Sequence, residues 1–132
     1  MDNVQLTMKN VMNGNNAVLN KTFQLAIEAL KFGRELQSKK KEYIIAKQIM
    51  RSATSVGAMV REAQHAESKA DFIHKMSVAL KEANETEYWI DLLKASNIVT
   101  VIEIENVEAK LKESLRMLTS IVKTAKENLK KQ

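Results

Sequence analysis

The longest regular pattern of apolar and polar positions in this chain runs from Lys47 to Leu93. Apolar residues recur there every three to four positions, the spacing that places them on one face of an α-helix. The block contains no proline and a single glycine, and its pattern breaks once, at residues 67–70. It therefore predicts two long helices folded back on each other.

The same spacing before and after this block predicts a helix on each side. We expect the four helices to run over about 18–37, 42–66, 68–96 and from 100 onward. Residues 1–16 show no clear period and are expected to form an irregular lead-in to a bundle that covers residues 17–132. Four long helices with short links favour an all-α single domain, an up-down-up-down four-helix bundle.

Local sequence signals indicate where two of these helices begin. A glycine inside the second helix indicates that another helix packs closely against it. Ser68 is a candidate N-cap, and Thr100 with Glu103 has the spacing of a capping box. Asn97 can end the third helix. Gly57 lies inside the second helix, where glycine costs about 1 kcal/mol relative to alanine. We therefore expect another helix to pack closely against Gly57.

Composition narrows the class of protein. The 132 residues include no cysteine and no proline, and the formal net charge is +5. The lack of cysteine excludes a disulfide scaffold and thiolate metal sites and fits a reducing compartment. No apolar run approaches the roughly 18 residues that span a membrane. We expect a cytoplasmic protein with no membrane partner and no cofactor, whose mildly basic charge permits a polyanionic partner.

The third helix has apolar surface outside its main stripe. Val78, Trp89 and Leu92 point about 120° away from the face predicted to meet the core. In a four-helix monomer only one face of each helix meets the core. These three residues therefore predict a subunit interface, the alternative being that Trp89 lies partly exposed across a neighbouring helix.

Polar residues border the apolar stripe of the second helix and meet acidic residues on the third. We predict a salt-bridged polar seam in which Arg51 pairs with a carboxylate of the third helix. A ligand or an RNA phosphate at Arg51 is the alternative. No nucleophile, base and orienting group accompany it, so no catalytic residue is predicted. The predicted seam consists of Gln48, Arg51, Ser55, Glu62, Glu82 and Glu85.

Two carboxylate-x-x-histidine pairs raise the question of a metal site, because helical bundles often hold two iron ions. The pairs are Glu62 with His65 and Asp71 with His74. Both flank the turn between the second and third helices, at one end of the bundle. A di-iron site needs further inward carboxylates at mid-length on the other helices. We therefore predict no metal site and keep a metal-dependent bundle enzyme as the rival.

Cations line one face of the fourth helix, within about 80° of arc around its axis. One interpretation is a solvated amphipathic face, and the other is a track for a polyanion. No aromatic residue is interleaved, so binding would be led by phosphate contacts rather than base stacking. The predicted nucleic-acid-binding residues are Lys112, Arg116, Lys123, Lys126 and Lys130.

Two segments carry a resemblance to a known family. The second helix contains Arg51-Ser52-Ala53-Thr54-Ser55-Val56-Gly57-Ala58-Met59-Val60-Arg61-Glu62, and the third contains Ala79-Leu80-Lys81-Glu82-Ala83-Asn84-Glu85. They resemble the four-helix-bundle family first associated with intervening sequences in bacterial 23S ribosomal RNA genes, to which accessory variability proteins of diversity-generating retroelements are similar. The resemblance covers about residues 17–120.

The resemblance implies a homo-oligomer, a pentameric ring, and no established catalytic activity. Met59 stands where the family pattern has asparagine, which puts any binding role of that asparagine in question. Together with the residues above, this predicts a non-enzymatic, homo-oligomeric scaffold with RNA or a ribonucleoprotein as its leading partner. The remaining alternative is an assembly factor that contacts only other proteins.

Overall fold

A computed structural model describes residues 16–131. It contains four α-helices: α1 Ala17–Lys39, α2 Ile44–Ala63, α3 Lys69–Ala95 and α4 Val101–Lys130. Helix α2 begins two residues later and ends three residues earlier than the apolar pattern predicted. The predicted lead-in, apart from Asn16, lies outside the described residues.

The helices form a four-helix bundle. Each helix packs against the next one in the chain, and α4 packs back against α1. The links at residues 40–43, 64–68 and 96–100 are short, so consecutive helices run antiparallel. The predicted fold class is therefore confirmed, and α2 and α4 occupy diagonally opposite corners.

The core runs along the bundle axis and receives one stripe from every helix. On α1 the face that carries Leu25, Ala29 and Leu36 is buried, whereas Phe23 and Ile27 on the other apolar face remain half-exposed. One apolar stripe on each of the other helices is also largely buried. Fully buried large side chains of α2, α3 and α4 include Ile49, Val56, Val60, Met76, Ile90, Leu93, Leu111 and Leu118.

The predicted start signals of α3 and α4 are both formed. The Ser68 Oγ accepts a hydrogen bond from the backbone N–H of Asp71 at 3.0 Å. At α4 the Thr100 side chain accepts from Glu103 N at 3.2 Å, while the Glu103 carboxylate accepts from Thr100 N at 2.9 Å. Asn97 has a φ of 57° and ends α3. The starts of α3 and α4 and the end of α3 therefore have the local chemistry that the sequence predicted.

Gly57 brings α2 close to α1. A Cβ atom added at Gly57 would lie 3.4 Å from the backbone oxygen of Thr22. Thr22 is itself buried, and its hydroxyl donates to the Val18 carbonyl at 2.8 Å. The predicted close approach is confirmed, and its outer side leaves a groove between the two helices.

Candidate functional site

An exposed ionic cluster joins α2 to α3. The Arg51 guanidinium donates to Gln48 Oε1 at 3.2 Å and to Glu82 Oε2 at 3.3 Å, and it also contacts the Glu85 carboxylate. The Arg51 side chain is 48% exposed, and those of Glu82 and Glu85 are 20% and 36% exposed. The arginine thus meets both predicted carboxylates inside one chain. It does so at the edge of the buried region, with about half of its own side chain exposed.

Two members of the predicted seam lie apart from this cluster. The Ser55 hydroxyl donates to the backbone oxygen of Arg51 at 2.8 Å, so it serves its own helix. Glu62 is exposed in the last turn of α2. There the pKa of Lys75 is raised, first by its hydrogen bond with Asp71 and more weakly by the charge of Glu62. The geometry thus brings only Gln48, Arg51, Glu82 and Glu85 together.

A buried pair of hydroxyl groups lies directly beneath the ionic cluster. Ser52 Oγ and Thr86 Oγ1 are 2.7 Å apart, and both side chains are fully buried. Thr86 also donates to the Glu82 carbonyl at 2.9 Å. Thr86 is not among the residues predicted from the sequence, although its spacing from Ala83 and Ile90 is the spacing of the core stripe. The α2–α3 contact is therefore polar at its centre as well as at its surface.

The residues predicted as a subunit interface share a stripe of α3 with the ionic cluster. Val78, Glu82, Glu85, Trp89 and Leu92 follow one another at intervals of three or four residues. All five are half-buried in the single chain. The Trp89 indole N–H donates to Glu85 Oε2 at 3.0 Å. The interface residues and the ionic cluster, predicted separately, thus form one surface.

Tyr88 adds a second aromatic ring to this surface. Its ring meets that of Trp89 edge-on, with centroids 5.0 Å apart and planes 71° apart. The Tyr88 side chain is 58% exposed. Tyr88 had not been predicted as an interface residue, although it lies next to Trp89 in the sequence. The pair forms an aromatic projection on the outside of α3.

The five cations predicted on α4 are all exposed on one face of that helix. Within residues 16–131, none of the five is in an ion pair. The neighbouring carboxylate of Glu113 is instead 2.9 Å from Lys21 Nζ, which holds the pKa of Glu113 below its usual range. The α4 track therefore presents cations without an ion pair in the described part of the chain, and of these five only Arg116 adds by its charge to the lowering of the Glu113 pKa.

The carboxylate-histidine pairs lie at the end of the bundle, as predicted from their positions beside the α2–α3 turn. His65 and His74 are both exposed. Asp71 is 2.9 Å from Lys75 Nζ, and that hydrogen bond is the main reason its pKa is lowered. Across residues 16–131 no three histidine, aspartate or glutamate side chains are grouped as metal ligands. In the same range no helix is both long and apolar enough to cross a membrane.

Fold and surfaces together define a small all-α bundle protein with a mixed aromatic and ionic face on α2–α3 and a cationic face on α4. Residues 14–120 match the model of the 23S rRNA-intervening sequence protein family, and the chain belongs to that family. Among curated proteins, no significant match is found.

A solved structure has the same fold. It is a protein of unknown function from the S23 ribosomal protein family of Bacteroides thetaiotaomicron. The two chains are 42% identical with a TM-score of 0.78, over 81% of this chain and 99% of the other. The resemblance read from the sequence is therefore confirmed, together with the fold that it implied.

Some of the candidate surface residues lie within the part of the chain that matches the family model, and others lie beyond it. The ionic cluster, the aromatic pair and the first two track cations lie within residues 14–120. Lys123, Lys126 and Lys130 lie beyond that match, on the last turns of α4. Met59, the departure from the family pattern, is half-buried and packs against the core. Most of the cationic track thus belongs to a part of the chain that the family model does not describe.

Proposed function

We propose that the protein is a non-catalytic, homo-oligomeric helical scaffold that binds RNA through the cationic track of α4. The observation that supports this best is the track itself, whose five cations are exposed and free of ion pairs in the described chain. They span 18 residues of one helix, which is roughly 27 Å. That length can face several phosphates of a single strand.

Binding of this kind is led by the phosphate backbone. The track carries no aromatic side chain on which a base could stack, and Thr119 is the only uncharged polar residue in line with the cations. Lysine and arginine on a helix contact phosphate without reading base edges. We therefore expect weak, salt-sensitive binding with little sequence preference.

A titration of labelled single-stranded RNA at increasing salt tests this function. Each phosphate neutralised on a single strand contributes about −0.7 to the slope of log K against log salt, so three or four contacts give roughly −2 to −3. Replacing Lys123→Glu and Lys126→Glu together should reduce both affinity and slope. Helicity should not change, because both side chains are exposed.

The matched control carries the same change of charge elsewhere. Lys47→Glu with Lys81→Glu alters two exposed lysines on α2 and α3. If RNA binding depends on the track, this control binds more tightly than the α4 variant. Equal weakening by both variants means that net charge alone attracts RNA, and no binding by the parent at about 50 mM salt rules out the RNA role.

Oligomerisation is the second part of the proposal. It is supported by the half-buried Trp89 and the exposed Tyr88 on one face of α3. Five copies is the number that the family resemblance suggests. Light scattering should give a mass several times the 15.0 kDa of one chain. Trp89→Ala should lower that mass and have only a small effect on the melting temperature. A parent protein whose mass in solution is 15.0 kDa contradicts the proposal.

A scaffold that contacts only other proteins is the second candidate function. The same aromatic face favours it, because exposed aromatic side chains are enriched where proteins bind one another. A pull-down with and without nuclease separates the two candidates. Partners lost after nuclease treatment indicate RNA, and partners retained indicate direct protein contact.

A further inference from the structure

An apolar groove on α1–α2 lies on the face of the bundle next to the aromatic projection. Its walls are Leu19, Phe23 and Ala26 on α1 and Gly57 and Ala58 on α2, and it encloses about 290 Å³. The small residues create the depression, since Gly57 has no side chain and Ala58 ends at a methyl group. The groove can receive an aromatic side chain from outside the chain.

The aromatic projection and the groove also carry opposite charge. The half-buried Glu87 precedes Tyr88, and the exposed Asp91 lies about one turn after Tyr88 on α3. Arg61 is exposed at the end of the groove, and no carboxylate lines it. An aromatic ring flanked by carboxylates thus matches an apolar groove that ends in a guanidinium.

The positions of the two surfaces exclude a contact within one chain and suit a contact between copies. The groove lies on the α1–α2 face and the projection on the adjacent α2–α3 face, so their normals are about 90° apart or somewhat more in a square bundle. Two different surfaces of one subunit make a head-to-tail contact, which closes a ring of four or five copies when the normals are about 90–108° apart. Helix α2 then faces the centre of the ring, and α4 faces outward.

The heights of the two surfaces add one condition. Arg51 lies opposite Glu82 and Glu85, so Tyr88 lies near the level of Lys47 on α2. The groove is centred about ten residues further down α2, near Gly57, which is a difference of roughly 15 Å along the axis. Each bundle must therefore lean against its neighbour for a ring to close.

We propose, building on the homo-oligomeric scaffold above, that Tyr88 and Trp89 of one copy seat in the α1–α2 groove of the next and so close a ring of leaning bundles. The contact is heterologous, so every copy offers one projection and one groove. Each subunit then completes the groove of its neighbour. The cationic tracks of α4 are repeated around the outside of the ring.

Two variants, each blocking one half of the contact, test the proposal. Tyr88→Lys removes the ring and places a cation opposite Arg61, and Ala58→Arg fills the groove with a long charged side chain. Both positions are exposed, so the fold should tolerate the changes. The matched controls are Tyr43→Lys, at a tyrosine 55% exposed, and Ala109→Arg, at an exposed alanine of α4.

Light scattering of the separate and mixed variants gives the decisive result. Each blocking variant alone should have the 15.0 kDa mass of one chain, and an equimolar mixture should give twice that mass. The doubling follows because the mixture contains one intact projection and one intact groove. Both controls should assemble like the parent.

Other outcomes separate the failure of this contact from the failure of the scaffold. If the parent and both blocking variants all assemble, the protein is an oligomer but the proposed contact is wrong. A mixture that stays at the mass of one chain likewise overturns it. A parent mass that grows steadily with concentration overturns ring closure, and a monomeric parent overturns the proposed oligomer itself.

Discussion

The α2–α3 contact and the outer face of α4 both carry exposed cations. The two regions differ in whether these cations form ion pairs with carboxylates of the same chain. On α2, Arg51 meets Glu82 and Glu85 in its own chain. On α4, Lys123 and Lys126 make no ion pair within the described residues. The first arrangement joins two helices, whereas the second leaves charge available to a partner. Residue type alone therefore does not distinguish cations that are paired within the chain from those that are not, and the position of the carboxylates does.

The largest difference in stability between α3 and the outer face of α4 should come from truncating a core residue of α3. Ile90 on α3 is fully buried, and Ile90→Ala should lower the free energy of unfolding by about 2–5 kcal/mol because it leaves a cavity. Lys126→Ala on the exposed α4 face should change it by less than about 0.5 kcal/mol. Urea denaturation followed by circular dichroism measures both. Similar losses of unfolding free energy for the two variants would mean that the core of the bundle and the outer face of α4 do not differ in their contribution to stability.

The buried hydroxyl pair should respond unequally to the loss of either partner. Thr86→Val leaves the Ser52 hydroxyl buried with only a 3.5 Å contact to the Ile49 carbonyl, so a cost of about 1–3 kcal/mol is expected. Ser52→Ala leaves Thr86 still donating to Glu82 O at 2.9 Å, and about 0.5–1.5 kcal/mol is expected. Thermal and urea unfolding rank the two variants. The opposite ranking would show that Ser52 has a better partner than the Ile49 carbonyl.

Removal of Arg51 should have a smaller effect than the loss of one partner from a buried ion pair. Removing one partner of a buried ion pair costs roughly 3–5 kcal/mol, because the other charge is left buried and unpaired. The guanidinium is half-exposed, so Arg51→Ala should cost only about 0.2–1 kcal/mol. The cost should decrease at high salt, because solvent ions screen exposed pairs. A loss above this range, independent of salt, would indicate that the pair is shielded by another subunit.

The smallest effect should come from acid titration at the start of α4. The hydrogen bond from Thr100 N, and then that from Lys40, holds the pKa of Glu103 below its usual range. A lowered pKa in the folded state contributes stability above the unfolded value, and that stability is lost as the pH falls through the folded value. Glu103→Gln should therefore be less stable than the parent at neutral pH and equally stable in acid. A difference that persists in acid would mean that the amide disturbs the capping geometry.

The sequence predicted the helices better than it predicted the surfaces, for a physical reason. Helical periodicity and caps such as Ser68 and Thr100 are local, so a single chain displays them. Whether Arg51 is buried depends on how two helices cross, and periodicity does not contain that angle. The groove beside Gly57 requires the approach distance of α1. Tyr88 lies on a stripe of otherwise polar residues, and only its exposure beside Trp89 reveals it.

The antiparallel order of the helices gives the two ends of the bundle different characters. Two links, residues 40–43 and 96–100, meet at one end beside the exposed Ile44 and Ile102, while α4 finishes at the other end with Lys126 and Lys130. Rotation about a ring axis never exchanges top and bottom, so every copy would point the same way. An assembly of this chain would therefore have direction. Every α4 helix would begin at the rim that carries these two links and end at the rim that carries Lys126 and Lys130, so the two directions along a bound polymer would not be equivalent.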